Sequence, residues 1–160
     1  MKEVKIETKL QVFDDVLELP KTIQDLMVQA VKARETAYAP YSNFCVGAAI
    51  LLDNGEMITG SNQENASYPS GLCAERTAIY YAHAKYPEAI IKSLALTASS
   101  QNKTTLDPVP PCGACRQAIA EYEMKQKQPI EIYFMGAQGK VAKSQSLANL
   151  LPLIFDKSVL

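Results

Sequence analysis

Phe44-Cys45-Val46-Gly47-Ala48-Ala49-Ile50-Leu51-Leu52-Asp53-Asn54-Gly55 is an apolar run that ends in a turn. Small and β-branched residues closed by Asn-Gly form a hairpin signal, because Asn and Gly accept the positive φ of tight hairpin turns. Met57–Ser61 is the expected partner strand. Upstream, Ile23, Leu26, Met27, Ala30, Val31, Ala33 and Ala37 recur at helical spacing, with Thr22 as the expected N-cap. That helix must end before Pro40, since the residue before a proline avoids helical backbone. Residues 4–19 read as a strand or extended arm that Pro20 stops.

Downstream of the hairpin, Asn62 to Leu72 is a polar loop. A second helix is expected from about Cys73 to Tyr86, a buried strand over Ile90–Thr97, and a Pro-rich loop over residues 99–111. A third helix should start at Pro111 or Cys112 and run to about Met124. A strand follows over Ile130–Met135, then a turn at Gly136–Gly139 and a short helix at Leu147–Leu151. Strand and helix alternate, which is the pattern of an α/β layer fold with helices on both sheet faces. The hairpin is antiparallel and helix-linked strands are parallel, so the sheet should be mixed, with about five strands. We divide the chain into an N-terminal extension, 1–20, and a single domain, 21–160.

Composition narrows the function. The 160 residues are 48% hydrophobic and 21% charged, enough for one core. Sixteen Lys+Arg against seventeen Asp+Glu leave a net charge of −1, which excludes binding nucleic acid by phosphate neutralisation alone. No apolar run approaches the ~20 residues of a membrane span, and the charged start Met1-Lys2-Glu3 has no signal-peptide core behind it. A soluble, cytoplasmic domain is the expectation. There, four cysteines point to metal or redox chemistry rather than to disulfides.

Pro111-Cys112-Gly113-Ala114-Cys115 places two cysteines three apart at a helix start, where Pro is tolerated and the helix dipole favours thiolates. The spacing alone fits a metal pair and a redox dithiol equally. Gly71-Leu72-Cys73-Ala74-Glu75-Arg76 brings a third thiolate to a second helix start. Three thiolates and one open position are the arrangement of a catalytic zinc site. Cys45, in mid-strand, reads as a small buried hydrophobe. His83, ten residues after Cys73 and near the far end of its helix, reads as a residue suited to the helix dipole rather than as a ligand.

Cys73-Ala74-Glu75 followed by Pro111-Cys112-Gly113-Ala114-Cys115 resembles the cytidine deaminase family, whose zinc chemistry is a general case of metal-activated water with a non-ligating Glu. The likeness extends over about residues 22–155, through Ala37-Tyr38-Ala39-Pro40-Tyr41-Ser42-Asn43-Phe44, Val46-Gly47-Ala48-Ala49, Glu64-Asn65-Ala66-Ser67-Tyr68, Cys115-Arg116-Gln117, Leu150-Leu151-Pro152 and Phe155. It implies a three-layer α/β/α deaminase fold and one Zn2+ per chain on Cys73, Cys112 and Cys115. It implies Glu75 as proton shuttle and Arg76 as hydrogen-bond donor to ligand sulfurs. Substrate contacts implied are Phe44 packing on the base, the Ala74 N–H to the base carbonyl, and Asn62 and Glu64 to the ribose hydroxyls. Phe155 would reach into a neighbouring subunit of a homotetramer. The implied reaction is hydrolysis of cytidine and deoxycytidine to uridine and deoxyuridine with release of ammonia, in pyrimidine salvage. Asn62 and Glu64 favour a free nucleoside, since a carboxylate near the sugar repels a phosphate. Remaining alternatives are a deaminase of another cytosine-containing small molecule, of the blasticidin type, a structural zinc module, and a dithiol redox protein.

Overall fold

Side chains alternate between two cores along the central strands of the computed structural model, which describes residues 1–160. On β2 (Phe44–Leu52), Ala48, Ile50 and Leu52 face one core and Ala49 the other. Leu94 and Leu96 oppose Ala95 on β4 (Ile91–Ser100), and Ile132 and Phe134 oppose Tyr133 and Met135 on β5 (Glu131–Met135). Period-two geometry sends successive side chains to opposite faces, so strands apolar at every position must be covered on both sides. The helix α1 (Lys21–Arg34) covers one face with Ile23, Leu26, Met27 and Ala30. The helices α2 (Ala74–Lys85) and α3 (Gly113–Gln126) cover the other with Ala74, Ala78, Ile79, Ala82, Ile119 and Ala120. The result is the expected α/β/α layering.

The sheet has six strands in the order β1-β6-β5-β4-β2-β3. β3 (Met57–Ser61) pairs antiparallel with β2 around Gly55, whose φ is +86°. β4 pairs antiparallel with β2 and parallel with β5, the latter joined through α3. The mixed sheet is therefore as expected. Its additional strand is β6 (Val141–Ser144), and a short β1 (Gln11–Phe13) from the N-terminal arm pairs with it. Of the arm, only Gln11–Phe13 is strand. Leu19 is 3% exposed and belongs to the α1 core.

Three local expectations are corrected. Thr22 does not cap α1. Pro20 occupies the N-cap without a side-chain bond, its carbonyl accepting from Ile23 and Gln24 N–H. The helix also stops at Arg34 rather than continuing through Ala37, and residues 35–38 turn so that Tyr38 N–H can bond the Asn62 carbonyl. Leu147–Asn149 is a single 3₁₀ turn. No helix is long and apolar enough to cross a membrane.

Two glycines set how close the layers come. A Cβ on Gly47 would lie 2.1 Å from the Ala30 carbonyl of α1. One on Gly60 would lie 2.7 Å from the Ala74 carbonyl and 2.6 Å from the Ala78 nitrogen of α2. The first turn of α2 therefore rests directly on β3.

Candidate metal centre and substrate pocket

Cys73 is the N-cap residue of α2 and Cys112 that of α3, and neither helix has a side-chain cap. Both helices begin at the metal centre, so unsatisfied amides and the positive dipole ends face the sulfurs. Cys115 lies in the first turn of α3 and is fully buried, whereas Cys112 is exposed. The three sulfurs lie within 4.8 Å of one another, with Cys73 Sγ and Cys112 Sγ 3.9 Å apart. Zinc bound tetrahedrally by thiolates at ~2.3 Å needs sulfurs about 3.8 Å apart. The residues present thus fit zinc in donor type and in spacing. Neither Cys45 nor His83 joins the cluster. Cys45 is half-buried and accepts from Gln101 Nε2, which corrects the expectation of a buried hydrophobe. His83 sits 3.2 Å from Lys125 Nζ and edge-on to Tyr122.

Electrostatics at the cluster favour a bound cation. The Cys115 thiol donates to Cys73, and Arg76 and Cys112 donate as well, so the Cys73 pKa is pulled down to about 5 against its desolvation. The bond to Cys73 and burial push Cys115 up. Arg76 Nη2 lies 3.8 Å from Cys73 Sγ, and its buried Nε has no partner. Glu75, 4% exposed in the first turn of α2, has its pKa raised chiefly by burial and further by the Cys73 charge. A carboxyl whose pKa is raised in this way is better placed both to accept and to release a proton.

A cavity of about 400 Å³ runs from Cys73 and Arg76 to Asn62, Glu64, Tyr41 and Tyr68. Among the residues expected to contact substrate, Asn62 and Glu64 line it; Phe44, Ala74 and Phe155 do not. Phe44 opens β2 and is half-buried. Ala74 is the first residue of α2, where an N–H lacks an intrahelical acceptor. Phe155 is 62% exposed, and its carbonyl accepts from Gln117 Nε2 at 2.8 Å.

The local chemistry of the two polar residues differs from a turn-forming loop. Asn62 Oδ1 accepts from Val46 N–H at 2.8 Å, and its Nδ2 donates to the Phe44 carbonyl at 2.9 Å. Its amide thus fastens the start of β2. Glu64 accepts from Tyr41 N–H at 2.9 Å, from Ser42 N–H at 3.2 Å and from Ser42 Oγ. These donors, the Ser42 hydroxyl first, hold its pKa below the usual carboxylate value. Sequence reasoning gave Tyr41 and Ser42 no role of their own and missed this one. The missed signal was a hydroxyl beside a sharp turn, with Asn43 at φ +53°.

Residues 20–128 match a family model described as the cytidine and deoxycytidylate deaminase zinc-binding region. A cytidine deaminase from Halalkalibacterium halodurans is 41% identical over 132 residues, 82% of this chain and 92% of that protein. One from Sporosarcina psychrophila is 39% identical over 135 residues, 84% and 92% of the two chains. The crystal structure of cytidine deaminase from Burkholderia pseudomallei superposes with a TM-score of 0.71 at 40% identity, covering 82% of this chain and 97% of that one. That of the Mycobacterium tuberculosis enzyme superposes with a TM-score of 0.65 at 32% identity, covering 84% and 97%.

Proposed function

The chain belongs to the cytidine deaminase family, and we propose how its own residues divide the labour of that reaction. Its activity is the hydrolytic deamination of cytidine, which replaces the ring amino group by oxygen and releases ammonia. Deoxycytidine is a second substrate in this reading, because Glu64 is assigned to the sugar 3′-hydroxyl, which both nucleosides carry. The observation that carries the reading is the sulfur trio at zinc spacing beside a buried Glu75 whose pKa is raised by that burial.

Cys73, Cys112 and Cys115 hold the metal. Zinc bound there supplies the Lewis acidity that turns water into a nucleophile near neutral pH. Arg76 and the two helix N-termini offset the excess negative charge of three thiolates. Glu75, as a carboxylate, takes a proton from the attacking water and gives it to the pyrimidine N3. It then takes the second proton from the new C4 hydroxyl as the carbonyl forms and gives it to the amino group, which leaves as ammonia. The Ala74 N–H donates to the base carbonyl, and Phe44 packs against the base. Glu64, already oriented by Ser42, accepts from the sugar 3′-hydroxyl and disfavours a phosphate beside it. Asn62 holds the Phe44–Val46 edge and offers its remaining donor to the ribose. Positioning of this kind is a large part of the rate enhancement.

A homotetramer completes the reading. Leu153, Phe155, Val159 and Leu160 expose apolar surface at the C-terminal end of one chain, and Phe155 enters a neighbour's pocket. A reducing compartment, the cytoplasm, suits ligands that must remain free thiolates. The test is the loss of cytidine absorbance on incubation with the purified protein. Turnover should stop when a strong chelator is added and return with zinc. Absence of turnover in zinc-replete protein overturns the assignment.

A further inference from the structure

Arg116 stands one residue after the ligand Cys115, in the first turn of α3. A cation there opposes the positive end of the helix dipole. It also enters none of the ion pairs in the molecule. Its guanidinium instead donates twice to backbone: Nε to the Pro111 carbonyl at 2.8 Å and Nη1 to the Leu150 carbonyl at 3.0 Å. Those carbonyls belong to segments far apart in sequence. One is the peptide immediately before the ligand Cys112, and the other begins the C-terminal segment that carries Phe155. The next residue, Gln117, holds that same segment farther on through the Phe155 carbonyl.

The Pro111 contact matters because, although Pro111 is buried by packing, few hydrogen bonds fix this stretch of backbone. Pro110 and Pro111 have no N–H to donate, no backbone N–H reaches the Pro111 carbonyl, and Cys112 is an exposed N-cap with no side-chain cap bond. Cys115, by contrast, is buried within the helix. The planar fork of arginine fixes two acceptors in one geometry, which a flexible ammonium cannot do. We propose that Arg116 is a positioning residue for the metal centre, clasping the Pro111–Cys112 peptide to the Leu150 segment so that the Cys112 sulfur is held ready for the metal. The inference rests on the zinc reading above.

The test uses the zinc-loaded protein and its cobalt-substituted form. Zinc transfer to a competing chelator and the cobalt ligand-field and thiolate charge-transfer bands are measured for the original chain, Arg116→Met, Arg116→Lys and Gln117→Ala. Loss of an outer hydrogen-bonding partner of a metal ligand weakens metal retention by about 10–100-fold. Arg116→Met should show a loss of that size with shifted cobalt bands. Arg116→Lys, which keeps the charge and loses the fork, should still release zinc several-fold faster than the original chain. Gln117→Ala, which frees only the tail, should retain zinc normally. If Arg116→Lys matches the original chain in release and spectrum, the clasp is wrong, whether or not Arg116→Met folds. Failure of the original chain itself to bind zinc or give a thiolate–cobalt band would instead remove the zinc reading.

Discussion

Glu75 is a carboxyl that folding buries at the start of a helix beside a thiolate. Burial there costs stability and raises the carboxyl pKa, and a perturbed, desolvated acid at a site is the physical reason to assign it proton transfer rather than helix-end decoration. Glu75→Gln preserves shape and leaves the three sulfurs untouched. It should keep stoichiometric zinc by metal analysis while kcat falls by at least the ~10²–10⁴-fold typical of general acid–base catalysis. Near-normal turnover would remove Glu75 from the mechanism. Glu64 calls for a different measurement, because it is held by Tyr41 and Ser42 rather than by burial. Glu64→Gln should raise KM for cytidine more than for free cytosine, and an equal response of both would remove the ribose contact. The cysteine trio could be read in the sequence because residue type and spacing carry the ligand chemistry. The ties of Asn62 to Phe44 and Val46 could not, since those partners stand 18 and 16 positions away and meet only once β2 and the loop are placed.

At the scale of elements, the centre is located by how tightly α2 lies on the sheet. Gly60 of β3 faces Ala74 and Ala78, the first turn of the helix that carries Cys73 as N-cap. Gly60→Ala inserts a methyl group where backbone atoms stand 2.6 and 2.7 Å away. Overpacking of this kind costs about 1–3 kcal/mol or more. Melting should fall by several degrees, since 1 kcal/mol moves Tm by roughly 2–4 °C in chains of this size. Zinc content per folded molecule should drop with it, because Cys73 moves with the helix. Unchanged melting and zinc content would show that α2 can shift without disturbing the centre. The helices and central strands were legible in apolar periodicity because each buries a continuous face. The strand Val141–Ser144 was not, being short and carrying Lys143 and Ser144. Its neighbours explain it: Lys143 pairs with Glu131 at 2.6 Å and lies over the Tyr133 ring, and Ser144 donates to the Ser146 carbonyl. The early stop of α1 has a similar tertiary cause in the bond from Tyr38 to Asn62.

The molecule as a whole leaves its substrate cavity without an aromatic wall from the C-terminal segment. Phe155 is 62% exposed and Leu153 80% exposed, while Gln117 holds the Phe155 carbonyl and Arg116 the Leu150 carbonyl against α3. Exposed apolar side chains on an anchored backbone are pre-ordered for a partner surface, so little conformational entropy is lost when a second copy covers them. The proposed tetramer therefore predicts a separable effect. Phe155→Ala should leave zinc content and the melting of the isolated chain nearly unchanged, because the side chain is mostly exposed in its own subunit. It should raise KM for cytidine several-fold, and mixing the variant with a second, Glu75→Gln variant should restore part of the lost affinity in hybrid assemblies. There, an intact Glu75 centre can receive Phe155 from its neighbour. Sedimentation should give a four-chain particle for the original chain. A monomer with full activity at nanomolar concentration, or a Phe155→Ala protein with unaltered KM, would remove the neighbour's contribution to the pocket.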